Sequence, residues 1–510
     1  MFIHWHSVVL PYFFSITCLN VCSSLSPHAP DIVVVGGGAA GLTAAKFGAR
    51  FGKSVLLVER RRLGGDCTHY GCVPSKSLIA AAKIAHVSRS GESYGVTITG
   101  SVNVDWQAVK ARLQRIVQRI YETDDSPEAL EKLNIKVVNA TASFVNEDNL
   151  QLQYSDHNET IRAKYGFVIA TGARPSIPDI EGLADVPYCS YENIFNLPAL
   201  PEKLLVVGGG PIGCELAQAF RRLGSEVVLV APRLLPGMDP EAGAILESVF
   251  TSEGMKVVKG LVVSARKSYD SGGRRSGCIV STDSGDELFG DVLLIATGRA
   301  AVVDSLSLDN ANVEYSSSDG IHTNFKLQTT ARSIYAAGDC TGGPQFTHLA
   351  GFQGAIAARN LLLPLSDPGI LDVPISSCVF TSPEIAATGY SETEARNRFG
   401  DKKTAVVTRP LGEIDRSLCE EDNPRGFIKI IYHRGDFRIL GAIIAAPTAG
   451  EVIAEVSVAM AGKVKLPELA SIVHAYPTLS IAVQQMAADI YYEKLESNMP
   501  LYNILKRIGL

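Results

Sequence analysis

Cys67-Thr68-His69-Tyr70-Gly71-Cys72 sets two thiols with four residues between them, flanked by Gly64-Gly65-Asp66 and Val73-Pro74-Ser75-Lys76. Two cysteines this close, at a glycine-bounded helix entrance, can cycle between dithiol and disulfide. The thiolate is the reactive form, and helix N-termini lower thiol pKa values. Cys72 precedes what reads as a helix start, with Pro74 suited to the first turn. A structural disulfide or half a zinc site is the plainer alternative. Against zinc, the spacer is wide for a knuckle and no second Cys/His pair follows at metal spacing, so no metal ligand set is expected. Lys76 comes four residues after Cys72, about one helical turn, so both side chains can face one cofactor.

The elements around the pair point to nucleotides. Asp31–Val35 reads as an apolar strand running into Gly36-Gly37-Gly38-Ala39-Ala40-Gly41, followed by a helix to about Phe51 and a strand Ser54–Val58 ending at Glu59. In such a βαβ unit Gly36 makes the turn and Gly38 admits a pyrophosphate to the helix N-terminus. Gly41 lets helix pack on strand, and Glu59 takes the ribose hydroxyls. The device recurs: Leu204–Val207 leads into Gly208-Gly209-Gly210-Pro211-Ile212-Gly213, a helix to about Leu223 and the strand Val227–Val230. Gly208, Gly210 and Gly213 repeat the three glycine roles.

The chain has 510 residues, enough for two to four domains with a buried core in each. Its net charge of −6 and the lack of a basic stripe argue against a nucleic-acid partner. Outside the pair the cysteines are scattered, with Cys18 and Cys22 close to the N-terminus. Val8–Val21 is a mostly apolar run of signal-peptide length, interrupted by Pro11 and Asn20. It is short for a membrane span. No Lys or Arg precedes Lys46, so the basic flank of a signal peptide is missing. We read residues 1–30 as a leader that favours the secretory pathway or an organelle over the cytoplasm, and expect no membrane contact from the rest.

With these motifs in order, the chain from about Asp31 onward resembles the class I pyridine nucleotide–disulfide oxidoreductases, which include dihydrolipoamide dehydrogenase, glutathione reductase and mercuric reductase. The resemblance implies an α/β protein with two nested Rossmann-like dinucleotide-binding domains and a C-terminal α+β dimerisation domain. The first nucleotide fold (31–185, resuming at 300–370) would hold FAD, and the second (186–299) NAD(P)H. Residues 371–510, opening with Phe380-Thr381-Ser382-Pro383-Glu384, would pair two subunits as a homodimer. Ala170-Thr171-Gly172 and Ala296-Thr297-Gly298 match the family's crossover motifs, and Tyr335-Ala336-Ala337-Gly338-Asp339 its second FAD contact. By the same resemblance Cys72 lies against the flavin and Cys67 meets the substrate. Lys76 pairs with a glutamate on the second nucleotide helix, matched by Glu215.

Three positions depart from the family pattern. NAD-specific members carry a carboxylate after the second nucleotide strand, where this chain has Val230-Ala231-Pro232-Arg233. Arg233 could meet a 2′-phosphate, so NADPH is favoured. Dithiol-handling members carry His-Pro-Thr and a glutamate four residues after the proline. Here Tyr476 and Ile481 occupy those places, within His474-Ala475-Tyr476-Pro477-Thr478. A phenol is a poor base at neutral pH. Tyrosine at that place resembles mercuric reductase, yet no C-terminal cysteine pair is present, the last cysteine being Cys419. His474 could relay protons through Tyr476, since residues 474 and 476 of an extended segment share a face about 7 Å apart, or could fill the gap itself; the plainer alternative, and the favoured one, is a packed interface histidine. The expected function is electron transfer from NAD(P)H through FAD to Cys67–Cys72 and on to a disulfide, metal ion or other small acceptor. The alternatives are a dihydrolipoamide dehydrogenase and a flavin-bound redox sensor or scaffold.

Overall fold

The computed structural model describes residues 29–269, 276–363 and 374–499. The expected leader up to residue 28, Cys18 and Cys22 among it, and the Lys506–Leu510 tail lie outside the described residues.

Valine- and leucine-rich strands buried on both faces are the mark of parallel sheets covered by helices, and two form here. The first runs Ile334–Ala336, Gly166–Ile169, Ile32–Val35, Val55–Glu59, Ile135–Asn139, all parallel. The second runs Lys256–Val258, Glu226–Val230, Lys203–Val207, Val292–Ile295, Tyr188–Cys189, again parallel. In both, the strand before the glycine turn lies beside the strand that ends in the Ala-Thr-Gly motif. That neighbour relation is the switch point at which doubly wound sheets take ligands.

The two folds are nested. Ala173–Pro175 pairs antiparallel with Arg299–Ala301, so the outgoing and returning chains cross side by side. Thr171 and Thr297 fasten this crossing, donating to the carbonyls of Val302 and Ser176 at 2.7 and 2.9 Å. Beyond it Ile180, Leu183 and Val186 already bury in the core of the second sheet.

The third unit is an antiparallel sheet in the order Ser376–Val379, Glu384–Gly389, Ile439–Ala446, Phe427–His433, Thr404–Pro410. The helices Ala449–Ala461 and Ser480–Ser497 contribute to the core it shares with them. No helix among the described residues is long and apolar enough to cross a membrane.

Candidate redox site

Glycine makes the cavity possible. A Cβ on Gly36 would stand 2.2 Å from the Ala170 carbonyl oxygen, and one on Gly208 would stand 2.3 Å from that of Ala296. Both turns have φ above +100° and press against the adjoining strand exit. The helix glycines Gly41 and Gly213 are as constrained, their Cβ atoms falling within 2.0 Å of the Gly36 and Gly208 oxygens. Gly210 has nothing within 4 Å of its Cβ position, and Gly38 only the Gly65 Cα at 3.9 Å. Those two face open space where each helix begins, with free N–H groups for a pyrophosphate.

One cavity of about 1870 Å³ runs past both turns and past Cys67 and Cys72. Single small-ligand pockets measure about 300–1,000 Å³, so this one has room for two nucleotides. Gly172, Gly298 and Arg233 line it, as do Glu59 and Asp339. Both Glu59 oxygens accept backbone N–H groups, from Gly37 at 2.7 Å and Arg61 at 2.6 Å. Asp339 is paired with Arg299 at 2.9 Å. Arg233 is exposed and donates to the Pro236 carbonyl. These residues fit the phosphate and ribose parts of a dinucleotide at each turn.

Cys72 is the first residue of the helix Cys72–Arg89, after Gly71, and Cys67 lies on the short helix Gly65–His69. Both thiols are free in this structure. A hydrogen bond from the Cys67 thiol holds Cys72 well below the ordinary thiol range, helped by Thr347 and Lys76 against burial and Glu215. The same bond, then burial, drives Cys67 upward. The pair is thus polarised, with the thiolate at Cys72 and the proton at Cys67. The Thr347 hydroxyl, at the start of the helix Thr347–Leu362, is 3.3 Å from Cys72 Sγ.

Lys76 Nζ donates to Glu215 Oε2 at 2.7 Å, and Glu215 Oε1 accepts the Phe380 N–H at 2.9 Å. Lys76 also stands 4.4 Å over the Phe380 ring. This network joins the redox helix, the second nucleotide helix and the C-terminal unit. Sequence reading named Lys76 and Glu215 and placed Phe380 in the motif that opens the C-terminal unit, but missed Thr347 and the contact of Phe380 with the Lys76–Glu215 pair. Thr347 carries no motif signal, and the motif around Phe380 does not state this contact, because only the fold brings both residues to the pair.

The C-terminal loop is arranged differently from the expectation. His474 and Tyr476 form no relay. His474 Nε2 meets Glu455 at 2.5 Å and Nδ1 meets the Ile472 carbonyl at 2.9 Å. Tyr476 donates to Asp415 Oδ2 at 2.9 Å. The segment is an irregular loop rather than a strand, and the two side chains go to different partners. Neither lines the cavity that holds Cys67 and Cys72. Val473 is 98% exposed and Tyr476 67%, so the loop projects from its own subunit.

Residues 30–354 match the pyridine nucleotide-disulphide oxidoreductase family, and residues 375–487 match its dimerisation domain. The chain is 34% identical to a mercuric reductase of Shigella flexneri, over 91% of this chain and 82% of that protein. It is 30% identical to a dihydrolipoyl dehydrogenase of Bacillus subtilis, over 88% and 96%. The structure of the HOCl-induced flavoprotein disulfide reductase RclA from Escherichia coli, in its Cu(II) complex, superposes with a TM-score of 0.78 at 27% identity. That match covers 90% of this chain and 99% of the other. Two glycine turns and a polarised cysteine pair opening on one cavity therefore have a family to account for them: the chain belongs to the pyridine nucleotide-disulphide oxidoreductases, as a flavoprotein that uses FAD and NAD(P)H.

Proposed function

We propose that the enzyme works as a homodimer that moves an electron pair from NADPH to the Cys67–Cys72 disulfide and then to a thiophilic metal ion. Bound FAD would relay the pair from the nucleotide hydride to the disulfide. The polarised thiol pair carries this reading, since it states which sulfur keeps which charge. Breaking the S–S bond with two electrons leaves a thiolate at Cys72, and Cys67 takes up one proton. When the two electrons pass on, to one two-electron or two one-electron acceptors, Cys67 releases its proton and the S–S bond reforms. Lys76 and Glu215 orient the flavin face of the redox helix, and Asp339 with Arg299 borders its phosphate side.

Metal as acceptor is supported by the names of the relatives, a mercuric reductase and a Cu(II)-complexed reductase, and by Tyr476 and Ile481 at the acid–base positions. A dihydrolipoamide dehydrogenase is the second reading, supported by the Bacillus subtilis relative. The test is anaerobic addition of NADPH to flavin-loaded protein, followed by Hg(II), Cu(II), quinones and disulfides in turn. The expected result is a long-wavelength flavin–thiolate absorbance, discharged fastest by a metal ion. Fastest discharge by lipoamide selects the dehydrogenase, and no turnover above free flavin on any acceptor leaves a redox sensor.

Two substitutions sharpen the roles. Thr347→Val removes a hydrogen bond to a charged sulfur, worth about 1.5–3 kcal/mol. The midpoint of the thiolate absorbance should then rise by about one pH unit or more. An unmoved midpoint removes Thr347 from the thiolate's support. Arg233→Ala should raise the KM for NADPH about tenfold and leave that for NADH nearly unchanged, because a charge-assisted contact to a 2′-phosphate is lost. Equal changes for both nucleotides return Arg233 to the surface.

A further inference from the structure

Far from the thiols, one buried lysine faces three carboxylates. Lys429, on the strand Phe427–His433 of the C-terminal unit, has a side chain only 4% exposed. Its ammonium meets Glu392 Oε2 at 3.1 Å and Asp239 Oδ2 at 3.5 Å, and it also contacts Glu241. Glu392 belongs to the same unit and is shared with Arg396 at 2.8 Å. Asp239 and Glu241 do not. They stand at the start of the helix Pro240–Ser252 in the second nucleotide fold.

Asp239 closes the loop 231–239, which leaves the strand Glu226–Val230 and carries Arg233. This loop is tied down at two places. Leu235 N–H donates to the Gly209 carbonyl at 2.7 Å, and a Cβ on Gly209 would stand 2.4 Å from the Arg233 oxygen. The loop therefore rests on the second glycine turn. Its far end rests on Lys429, through Asp239 and its neighbour Glu241. Ala231, Arg233, Leu235 and Asp239 all line the cavity, where the residues after the second strand of such a fold meet the adenosine ribose.

We propose that Lys429 is a positioning residue for the nicotinamide dinucleotide, holding the loop 231–239 against the C-terminal unit so that it presents a formed wall to the adenosine end. The inference rests on the second fold being the NAD(P)H site. Lys429 touches no nucleotide itself. Without its charge, the buried Asp239 loses its cation and is left near the partly exposed Glu392 and the exposed Glu241, so an uncompensated carboxylate stays in the contact. The loop must move away from Glu392, and it takes the adenosine wall with it. A nucleotide then has to order the loop on binding, which weakens affinity without altering the chemistry at the thiols.

The experiment measures steady-state kinetics and nucleotide binding by flavin-fluorescence change on full-length, FAD-loaded Lys429→Met and Lys429→Arg. Lys429→Met should raise the KM and Kd for NADPH at least about tenfold, with kcat within about threefold of wild type and the KM for the acceptor unchanged. Lys429→Arg, which keeps the charge, should restore most of the affinity. If Lys429→Met does not fold, Asp239→Asn and Glu392→Gln substitute for it. Asp239 is on the loop and Glu392 is not, so only Asp239→Asn should raise the KM beyond about threefold. A lower Tm with unchanged KM and Kd would mean the cluster is structural only and overturns the proposal. Failure of wild-type protein to bind either nucleotide would instead overturn the assignment of the second fold.

Discussion

Cys67→Ser should abolish electron delivery to every acceptor while NADPH still reduces the bound flavin at close to the wild-type rate. The two cysteines are polarised in opposite directions, so the two serine variants should fail differently. Cys72 keeps the thiolate, under the Cys67 thiol, Thr347 and Lys76 at a helix N-terminus. In Cys67→Ser that thiolate remains, and the long-wavelength absorbance should be present even before NADPH is added, because no disulfide can form. In Cys72→Ser it should be missing under all conditions. Loss of turnover in either should be at least on the order of 10³-fold, as when a group that defines a mechanism is removed. The pH dependence has a fixed sign. A lowered Cys72 pKa means the thiolate persists from alkaline pH down through the neutral range and is lost as the pH falls through the lowered value. In Cys67→Ser a hydroxyl, a better donor than a thiol, takes over the hydrogen bond to the thiolate, so its absorbance should persist to a pH no higher than in reduced wild type. Turnover that survives in Cys67→Ser would remove the disulfide from the electron path.

Both nucleotide folds could be read from the sequence because each needs glycines at fixed offsets. A Cβ at Gly36 or Gly208 collides with a neighbouring backbone oxygen, so the residue type itself states the geometry. The redox pair was legible for a similar reason: short spacing and a helix start are local features. The contacts of Thr347 and Phe380 were not, since these residues lie 275 and 304 positions beyond Cys72 and Lys76 and meet them only through domain packing. Lys429 was equally hidden. Among the 47 lysines and arginines it has no spacing that marks it, and its three carboxylates come from two stretches of chain far from it in sequence, Asp239 with Glu241 and Glu392. The C-terminal loop misled for a physical reason. Period-two reasoning holds for regular extended strands, and residues 471–479 form an irregular, bent loop in which His474 and Tyr476 find separate partners, Glu455 and Asp415.

That loop sets the last expected result. Wild-type turnover with dihydrolipoamide or glutathione disulfide should be lower by about 10²–10⁴-fold than a general acid–base pair would allow. Tyr476 cannot supply the missing base. Its hydrogen bond to Asp415, and the charge of that carboxylate, push the phenol further above its ordinary range. His474 cannot readily supply it either. Burial lowers its pKa, but the Glu455 hydrogen bond, the Ile472 carbonyl and the Glu455 charge together raise it, and both ring nitrogens face acceptors, Glu455 and the Ile472 carbonyl. Such an imidazole is tied at both nitrogens and has no free one to offer a substrate. Its charged form stabilises the loop at low pH, and that contribution is lost as the pH rises through the raised value. His474→Ala should therefore loosen the loop and cost less than about tenfold in turnover. Tyr476→His with Ile481→Glu should recover part of the dithiol activity if the exposed loop serves the thiols of the partner in the proposed homodimer, because an imidazole then gains an orienting carboxylate. Tyr476→His alone should recover less, its ring lacking that carboxylate. If His474→Ala alone abolishes turnover, His474 is the base and the loop must rearrange on pairing to free it. If wild type reduces lipoamide at the rate of the double variant, the acid–base argument fails and dihydrolipoamide dehydrogenase is the better description of the enzyme.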